Sequence, residues 1–390
     1  MIDFAFQNPT KIYFGRDSLQ NLSGEVRRYG NRVLLVYGGG SIKRIGLYDK
    51  VMEILRAENA HVWEISGVLP NPRLGLVKEG VKLCKENDVQ LVLAVGGGSA
   101  IDTAKAIANG ACYDGDPWDL FERKGENTSV LPLGTIVTLS AAGSEMSDSS
   151  VITRESDMCK RGRNTPFNYP KFSILNPEYT FTLPPFQTAC GIVDIMAHMM
   201  ERYFTRVENV ELIDRMTEAA LVTVINNAPV VMEKPDDYNA RAEIMWAGAL
   251  AHNNLLSTGR TGDWASHKLE HELSALYDIA HGAGLAIVFP AWMKYVLDKD
   301  GEKKLAQFAR RVMHVEDDFG SDRETALEGI ARLEGFYHSL GLTTTLHENS
   351  IGQEDITRMA ERAIKLGGGS LGSFVKLGVS DAEAIYRLAL

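Results

Sequence analysis

The sequence contains little cysteine, no long apolar run and no surplus of basic charge. Four cysteines in 390 residues, with no CxxC spacing, argue against a disulfide framework and against a cysteine-rich zinc site. No apolar run approaches the ~18 residues that a transmembrane helix needs, so we expect no membrane span. Lys and Arg total 41 against 51 Asp and Glu, and this net charge of −10 does not suit a nucleic-acid-binding protein. The N-terminal segment lacks the features of a signal peptide, and we expect a cytoplasmic protein with reduced thiols.

The composition is that of a globular protein with more than one domain. Hydrophobic residues make up 45% and charged residues 24%, and the chain exceeds the ~250–300 residues at which single cores stop growing. The first half alternates strand and helix patterns, with strands predicted at 32–37, 61–65, 89–95 and 131–139 and helices at 47–58, 75–87 and 100–108. Such alternation is typical of a parallel sheet covered on both faces.

After the Pro184 and Pro185 pair the pattern becomes helical. Apolar residues then recur with helical spacing at 187–204, 210–227, 239–256, 266–277, 303–313, 323–340, 353–366 and 381–388. Residues 285–289 are ambiguous between strand and helix. The sequence therefore predicts a Rossmann-like α/β domain over residues 1–184 and an all-helical domain over residues 185–390.

Two glycine-rich turns each follow a predicted strand and precede a predicted helix. The first glycine turn consists of Gly38, Gly39, Gly40 and Ser41, and the second of Gly96, Gly97, Gly98 and Ser99. Glycine lets a phosphate approach the backbone, and a helix N-terminus offers unsatisfied N–H groups. Neither turn has the GxGxxG spacing, and each alone is also compatible with a simple tight turn. Two of them in one α/β domain favour nucleotide binding. Ser99 is a candidate N-cap, with Asp102 as its capping-box partner.

The first turn also bears on the choice of cofactor. An acidic side chain near the adenosine ribose favours NAD, whereas a 2′-phosphate requires its absence. Residues 38–44 contain no carboxylate but include Ser41, Lys43 and Arg44. This favours NADP(H) over NAD(H), the alternative being that both cations are simply solvated.

Aspartate and histidine recur at helical spacing in apolar segments of the second half. Asp194 and His198 are four residues apart, as are His267 and His271, and His281 follows after a break near Asp278. Residues at this spacing share one face of a helix. Carboxylate and imidazole suit a divalent metal such as Fe²⁺ or Zn²⁺, and a catalytic site commonly uses three protein ligands. The five candidate residues are therefore more than the three ligands that such a site commonly uses.

Two competing interpretations concern histidines in this half. Residues 267–271 match HxxEH, an inverted zinc-peptidase motif, but that reading leaves both glycine turns and three of the candidates without a role. His252, in another apolar segment, is predicted to be a hydrogen-bonded core residue.

The chain resembles the iron-containing (group III) alcohol dehydrogenases over its whole length, and is similar to the branch of NADPH-dependent butanol dehydrogenases and broad-specificity aldehyde reductases. The motifs that carry the resemblance are GGGSIK at 38–43, GGGSAIDTAK at 96–105, AGSE at 142–145, GIVDIMAHMMERYF at 191–204 and GDWASHKLEHELSALYDIAHGAGLA at 262–286. The branch often has Thr before Gly-Ser-Glu, where this chain has Ala142, so a hydroxyl near the cofactor is missing.

The resemblance implies a role for each candidate residue. Carried over by position, the metal ligands are Asp194, His198, His267 and His281, whereas His271 matches a histidine near the nicotinamide and substrate that is usually not a ligand. We predict that His271, or a water held by it, is the proton relay. The second turn and Asp102 match the pyrophosphate turn and its helix, and the first turn matches the adenosine end. The positions that line the cofactor cleft match Thr138, Leu139 and Lys160.

The implied activity is reversible hydride transfer between NADP(H) and a primary alcohol or aldehyde, such as butanol and butanal. One divalent metal, Fe²⁺ or Zn²⁺, would act as a Lewis acid on the substrate oxygen. The implied architecture places catalysis between the two domains, and the family suggests a homodimer. Two alternatives stay open: a glycerol-dehydrogenase-like polyol dehydrogenase using NAD and zinc, and a nucleotide or metal binder without activity.

Overall fold

A computed structural model describes residues 1–316 and 320–390, which form two compact units. The sheet unit comprises Gln7–Leu183 and Pro235–Asn253, and the helical unit comprises Met1–Phe6, Pro184–Lys234 and Asn254–Leu390. Within the described ranges, no helix is both long enough and apolar enough to cross a bilayer. None of the four cysteines forms a disulfide.

Six parallel strands form the main sheet of the sheet unit, in the order β1-β8-β5-β4-β2-β3. Their bounds are Lys11–Phe14 (β1), Arg32–Tyr37 (β2), His61–Ile65 (β3), Leu91–Gly96 (β4), Leu133–Val137 (β5) and Phe172–Leu175 (β8). An antiparallel hairpin, β6 Ser149–Arg154 and β7 Cys159–Asn164, completes the strands. Leu34 packs in the core on one face of the main sheet and Leu35 in the core on the other. Strands buried on both faces explain the continuous apolar runs in the sequence.

Seven α-helices belong to the sheet unit among its described residues. They are Leu22–Tyr29 (α1), Ser41–Arg44 (α2), Leu47–Ala57 (α3), Leu74–Glu86 (α4), Gly98–Ala111 (α5), Pro117–Glu122 (α6) and Tyr238–Ala251 (α9). The predicted domain boundary at residue 184 does not separate two continuous stretches, because α9 packs in the sheet unit. Met245 and Ala249 of α9 lie in the same apolar core as β4, and Trp246 makes an edge contact with Phe14 at 6.1 Å.

The helical unit contains eight α-helices and no strand within its described residues. They are Pro185–Tyr203 (α7), Glu211–Glu233 (α8), Ala265–Tyr277 (α10), His281–Val296 (α11), Glu302–Arg311 (α12), Asp322–Ser339 (α13), Ile356–Leu366 (α14) and Val379–Leu388 (α15). This confirms the predicted fold class, a Rossmann-like parallel sheet followed by a helical part. The ambiguous run at 285–289 is helical and lies inside α11.

Several elements of the sheet unit escaped the sequence analysis. The strands β1 and β8 are only four residues long, and β7 reads CKRGRN, a polar sequence without strand periodicity. The strands β1 and β8 are fixed by pairing across a long stretch of sequence, since Lys11 is in register with Phe172. The strand β7 is fixed by its hairpin partner β6, with Arg154 opposite Cys159. Tertiary pairing of this kind overrides weak local preference.

Candidate metal centre and nucleotide-binding turns

The two glycine turns lie side by side at the carboxyl edge of the main sheet. The first turn follows β2 and the second follows β4, and these strands are neighbours. The chain runs outward from β2 to β3 and then returns to β4 on the other side of β2. The strand order therefore reverses between the two turns, and the crevice at such a point is where α/β sheets bind nucleotides.

The second turn packs closely against the segment that follows β5. Gly97 is the N-cap of α5, and a Cβ added to it would lie 3.0 Å from the Cβ of Leu139. The main-chain N–H of Thr138 donates to the Gly96 carbonyl at 3.0 Å. The structure thus brings Thr138 and Leu139 next to this turn. The first N–H groups of α5 point out of its N-terminus, where an anion is stabilised.

The structure assigns Asp102 a different local role from the predicted capping box. The helix begins at Gly98 and no side chain caps it, so the predicted pairing of Ser99 with Asp102 is wrong. Instead, the Ser144 hydroxyl donates to Asp102 at 2.6 Å and the Val151 N–H donates to it at 2.8 Å. Both carboxylate oxygens are therefore used to hold the loop after β5 and the hairpin.

Two buried lysines donate hydrogen bonds to the segments that they pack against. The ammonium of Lys105, which is fully buried, donates to the Ser144 hydroxyl at 2.8 Å and to the Ser149 carbonyl at 2.7 Å. Burial lowers the pKa of Lys105 to about 8, against the opposing charges of nearby carboxylates. Lys160, on β7, donates to Asn71 Oδ1 at 3.0 Å. Lys105 was not among the predicted site residues, although a lysine inside an apolar helix is a visible signal.

The first turn is open to solvent. Gly40 has a φ of 105°, which favours glycine, and Cβ atoms added to Gly39 or Gly40 would meet no atom within 4 Å. Ser41 is exposed at the start of α2. The Lys43 ammonium lies 5.2 Å and 4.7 Å from the ring centroids of two tyrosines, Tyr37 and Tyr48.

A carboxylate near the first turn was also missed. Glu64 of β3 accepts hydrogen bonds from the hydroxyls of Tyr37 at 2.6 Å and Tyr48 at 2.8 Å. The same two tyrosine rings lie beneath Lys43, so Glu64 belongs to the same cluster. It lies on the neighbouring strand rather than in residues 38–44, which is why local inspection did not find it.

Three helices of the helical unit carry the candidate metal ligands. Asp194 and His198 are on α7, His267 is on α10, and His281 begins α11. The helix α11 approaches α7 closely next to His281. A Cβ added to Gly282 would overlap the Cys190 carbonyl, so glycine is required for this approach.

The structure brings the predicted ligands together. Asp194, His267 and His281 each offer a ligand atom, and these atoms lie within 4.8 Å of one another. His198 adjoins this group, because its Nδ1 lies 2.9 Å from Asp194 Oδ1 and its ring centroid lies 4.5 Å from that of His267. His271 lies beside it, with its ring centroid 5.6 Å from that of His281.

The hydrogen bonds of the three imidazoles follow one pattern. Each Nδ1 contacts an oxygen: His198 the main-chain carbonyl of Asp194 at 2.9 Å, His267 the carboxylate of Glu201 at 2.8 Å, and His281 the carboxylate of Glu270. A donating Nδ1–H leaves the lone pair on Nε2 for a metal.

Two candidate ligand atoms also make no hydrogen bond of acceptable geometry. Among the described residues, the buried Oδ1 of Asp194 and Nε2 of His267 have no hydrogen-bond partner of acceptable geometry. Buried polar atoms normally have one, and a metal ion would supply it. The donor set therefore fits a divalent transition metal.

Burial and mutual charge set the protonation states of these groups. Burial, reinforced by His198 and His281, lowers the pKa of His267 well below its ordinary value. Burial by itself would raise the pKa of Asp194, but the charges of the three imidazoles, His198 foremost, hold it below its ordinary value. Neutral imidazole and ionised carboxylate are the forms that bind metal.

Of the two other interpretations of the histidines, the structure disfavours the first and agrees with the second. In the HxxEH reading Glu270 would be a catalytic base, but its carboxylate is fully buried and contacts His281 and Ser274. His252 lies with its Nδ1 2.7 Å from the Ala142 carbonyl, in agreement with a hydrogen-bonded core histidine.

Two family models match the chain. The one described as iron-containing alcohol dehydrogenase matches residues 9–177, and the one described as Fe-containing alcohol dehydrogenase family, C-terminal, matches residues 188–390.

Individual proteins match the chain over its full length. It is 48% identical to the probable NADH-dependent butanol dehydrogenase 2 of Bacillus subtilis, covering 100% of each chain. It is 36% identical to the NADPH-dependent aldehyde reductase YqhD of Escherichia coli, again over 100% of each chain. A solved structure, NADH-dependent butanol dehydrogenase A of Thermotoga maritima, is 42% identical with a TM-score of 0.95, covering 99% of this chain and 98% of that one.

Proposed function

The chain belongs to the iron-containing alcohol dehydrogenase family, and on that premise we propose that it catalyses reversible hydride transfer between a nicotinamide cofactor and a primary alcohol/aldehyde pair such as butanol and butanal. The observation that carries the proposal is the grouping of Asp194, His267 and His281 next to His198 in the helical unit. The sheet unit supplies two glycine turns at a strand-order reversal, which is where a dinucleotide binds.

Asp194, His198, His267 and His281 would hold one divalent metal, with Fe²⁺ the proposed ion and Zn²⁺ the alternative. When bound, the metal supplies Lewis acidity toward the substrate oxygen. The carboxylate of Asp194 is the one anionic side chain among these four residues. Asp194 and His267 are buried whereas His271 and His281 are half-buried, so substrate would reach the site from the side of these two histidines.

In the direction of reduction, the aldehyde carbon gains a hydride and the oxygen gains a proton, giving the alcohol and the oxidised nicotinamide. The N-terminus of α5 and the second turn would bind the pyrophosphate of the cofactor. Asp102 and Lys105 hold the neighbouring loop in place through Ser144. His271 is the proposed proton relay, because it is half-buried beside the candidate ligands and an imidazole exchanges protons near neutral pH.

Replacing His271 with Ala is expected to slow turnover about 10²-fold while leaving bound metal unchanged, because general acid–base groups typically contribute at least that much. The measurement is kcat with butanal together with metal content per chain. A normal kcat would remove His271 from the mechanism, and a loss of metal would make it a ligand instead.

Cofactor preference is the finer part of the proposal, and we propose NADPH over NADH. The first turn supports the preference for NADPH, because residues 38–44 contain no carboxylate. The ammonium of Lys43 would pair with the 2′-phosphate. The carboxylate of Glu64 argues against NADPH, since a carboxylate near the adenosine ribose favours NADH. Its two oxygens, however, already accept hydrogen bonds from the hydroxyls of Tyr37 and Tyr48. The relatives described above carry both NADH and NADPH in their names.

Replacing Gly39 with Asp is expected to raise the KM for NADPH about tenfold more than the KM for NADH, because an exposed carboxylate repels a 2′-phosphate. The position accepts a side chain, since a Cβ there meets nothing within 4 Å. Gly39→Asn, of the same size but uncharged, is the matched control. Equal effects on both cofactors would contradict this account of the first turn.

A polyol dehydrogenase using NAD and zinc is the second candidate. The ligand atoms within 4.8 Å of one another come from Asp194, His267 and His281 and do not include one from His198. Three ligands of this kind would suit a zinc site. Steady-state rates with 1-butanol and with glycerol distinguish the two, since activity confined to glycerol and NAD⁺ would favour the polyol enzyme. We further propose a homodimer located in the cytoplasm, which size-exclusion chromatography with light scattering and cell fractionation would test.

A further inference from the structure

Two buried glutamates contact the candidate ligand histidines across helix boundaries. Glu201 of α7, 1% exposed, lies with Oε1 2.8 Å from Nδ1 of His267 on α10. Glu270 of α10, 0% exposed, contacts Nδ1 of His281 on α11. Each glutamate follows a candidate ligand by three residues on its own helix. Its carboxylate, however, contacts the histidine on a different ligand-bearing helix.

Glu201 has a second function at the start of α10. The helix is preceded by Trp264, which has a φ of 65° and provides no capping oxygen. The N–H groups of Trp264 and His267 donate to Glu201 instead, the latter at 3.1 Å. Helix starts leave such N–H groups without an intrahelical partner, so Glu201 caps α10 from a neighbouring helix. The same carboxylate therefore fixes the backbone and the ring of His267.

The Glu270 carboxylate is also fixed by contacts on both oxygens. The Ser274 hydroxyl donates to Oε1, one turn further along α10. A Cβ added to Gly284 would lie 2.6 Å from Oε1, so glycine at this position of α11 makes room for the carboxylate. Oε2 is then the oxygen that meets His281.

Neutral imidazole exists in two tautomers, and only one of them suits this arrangement. With the proton on Nδ1, the Nε2 lone pair can bind a metal, whereas the other tautomer presents an N–H to it. A carboxylate that accepts from Nδ1–H selects the first tautomer, fixes the ring orientation and increases the basicity of Nε2. A histidine without such a partner would have to be ordered when the metal binds.

We propose that Glu201 and Glu270 are positioning residues that set the tautomer and orientation of His267 and His281 for metal binding. They form a sequential arrangement, in which α7 orients the ligand on α10 and α10 orients the ligand on α11. The inference rests on the proposed function, since it assumes that His267 and His281 are ligands.

The test compares Zn²⁺ affinity of metal-free wild type, Glu201→Gln and Glu270→Gln, measured by competition with a chelator. Loss of such a partner typically weakens metal affinity 10–100-fold, and we expect about that loss in each variant. Glu218→Gln is the matched control. Glu218 is also buried in the helical unit, but it accepts from Tyr203 at 2.7 Å and Arg311 at 3.1 Å and touches none of the candidate ligands. We expect Glu218→Gln to lose stability but to keep its Zn²⁺ affinity.

A second measurement separates positioning from a purely structural role. In metal-free protein labelled with ¹⁵N-histidine, the imidazole nitrogen shifts report which nitrogen carries the proton. We expect His267 and His281 to be protonated on Nδ1 in wild type, and Glu270→Gln to shift His281 alone toward a tautomer mixture. The tautomer measurement on Glu270→Gln stays informative even if Glu201→Gln folds poorly because the cap of α10 is weakened.

Unchanged Zn²⁺ affinity and unchanged tautomers in both variants would overturn the inference. An equal loss of affinity in Glu218→Gln would also overturn it, because the effect would then follow from stability. Wild type that binds no Zn²⁺, or binds it equally well after His281→Ala, would instead contradict the proposed metal site itself.

Discussion

Replacing His267 with Ala is expected to remove the metal and to lower kcat/KM for butanal about 10³-fold or more. The Nε2 atom of His267 is buried, has no hydrogen-bond partner among the described residues, and belongs to the group of ligand atoms within 4.8 Å of one another. Lewis-acid stabilisation of a developing negative oxygen contributes several kcal/mol, and each 1.36 kcal/mol is tenfold in rate. Metal content per chain and steady-state rates are the two measurements.

His281→Ala should give the same paired loss with less damage to the fold, because His281 is only half-buried. His347→Ala is the matched control, since His347 is exposed in the same helical unit and lies outside the ligand group. Retention of full activity by a metal-free His267→Ala or His281→Ala protein would refute the Lewis-acid role.

Replacing Lys105 with Met is expected to lower the free energy of unfolding by about 3–5 kcal/mol, because removing one partner of a buried charge network leaves the others uncompensated. Methionine matches the lysine in length but donates no hydrogen bond. The carbonyls of Ser147 and Ser149 would lose their shared donor, and nearby Asp102 would lose its compensating charge. Urea denaturation of the variant measures the change.

Lys78→Met makes the same substitution in a surface ion pair. Lys78 lies 2.5 Å from Asp116, and the two side chains are 48% and 45% exposed. Exposed pairs contribute about 0–1 kcal/mol, so this control should unfold almost as wild type does. If both variants lost equally little stability, the buried Lys105 network would not be holding the loop after β5.

Elements with strong local patterns could be predicted from the sequence. The predicted strands at 32–37 and 61–65 coincide with β2 and β3. The strand β2 is a continuous apolar run, as expected of a buried parallel strand, whereas β3 lies at the edge of the sheet and is largely exposed or half-buried. The predicted helix at 266–277 matches α10 to within one residue. The ligand residues were visible because four-residue spacing in an apolar helix is itself a signal.

Features that depend on distant partners could not be predicted in this way. Glu201 and His267 are 66 residues apart, and Lys105 and Ser149 are 44 residues apart, so no local pattern joins them. The periodicity of α9 predicts a helix but does not reveal that it packs in the sheet unit. A buried charged residue in an apolar helix is the one general clue to the first two of these cases, since such a residue needs a partner.

Stoichiometric reconstitution tests the central claim most directly. Metal-free protein is titrated with Fe²⁺ under anaerobic conditions, and the rate of butanal-dependent oxidation of NADPH is followed at each addition. We expect the rate to rise in proportion to bound Fe²⁺ and to level off at one ion per chain. Full activity in the metal-free protein, or an absence of activity once the ion is bound, would contradict it.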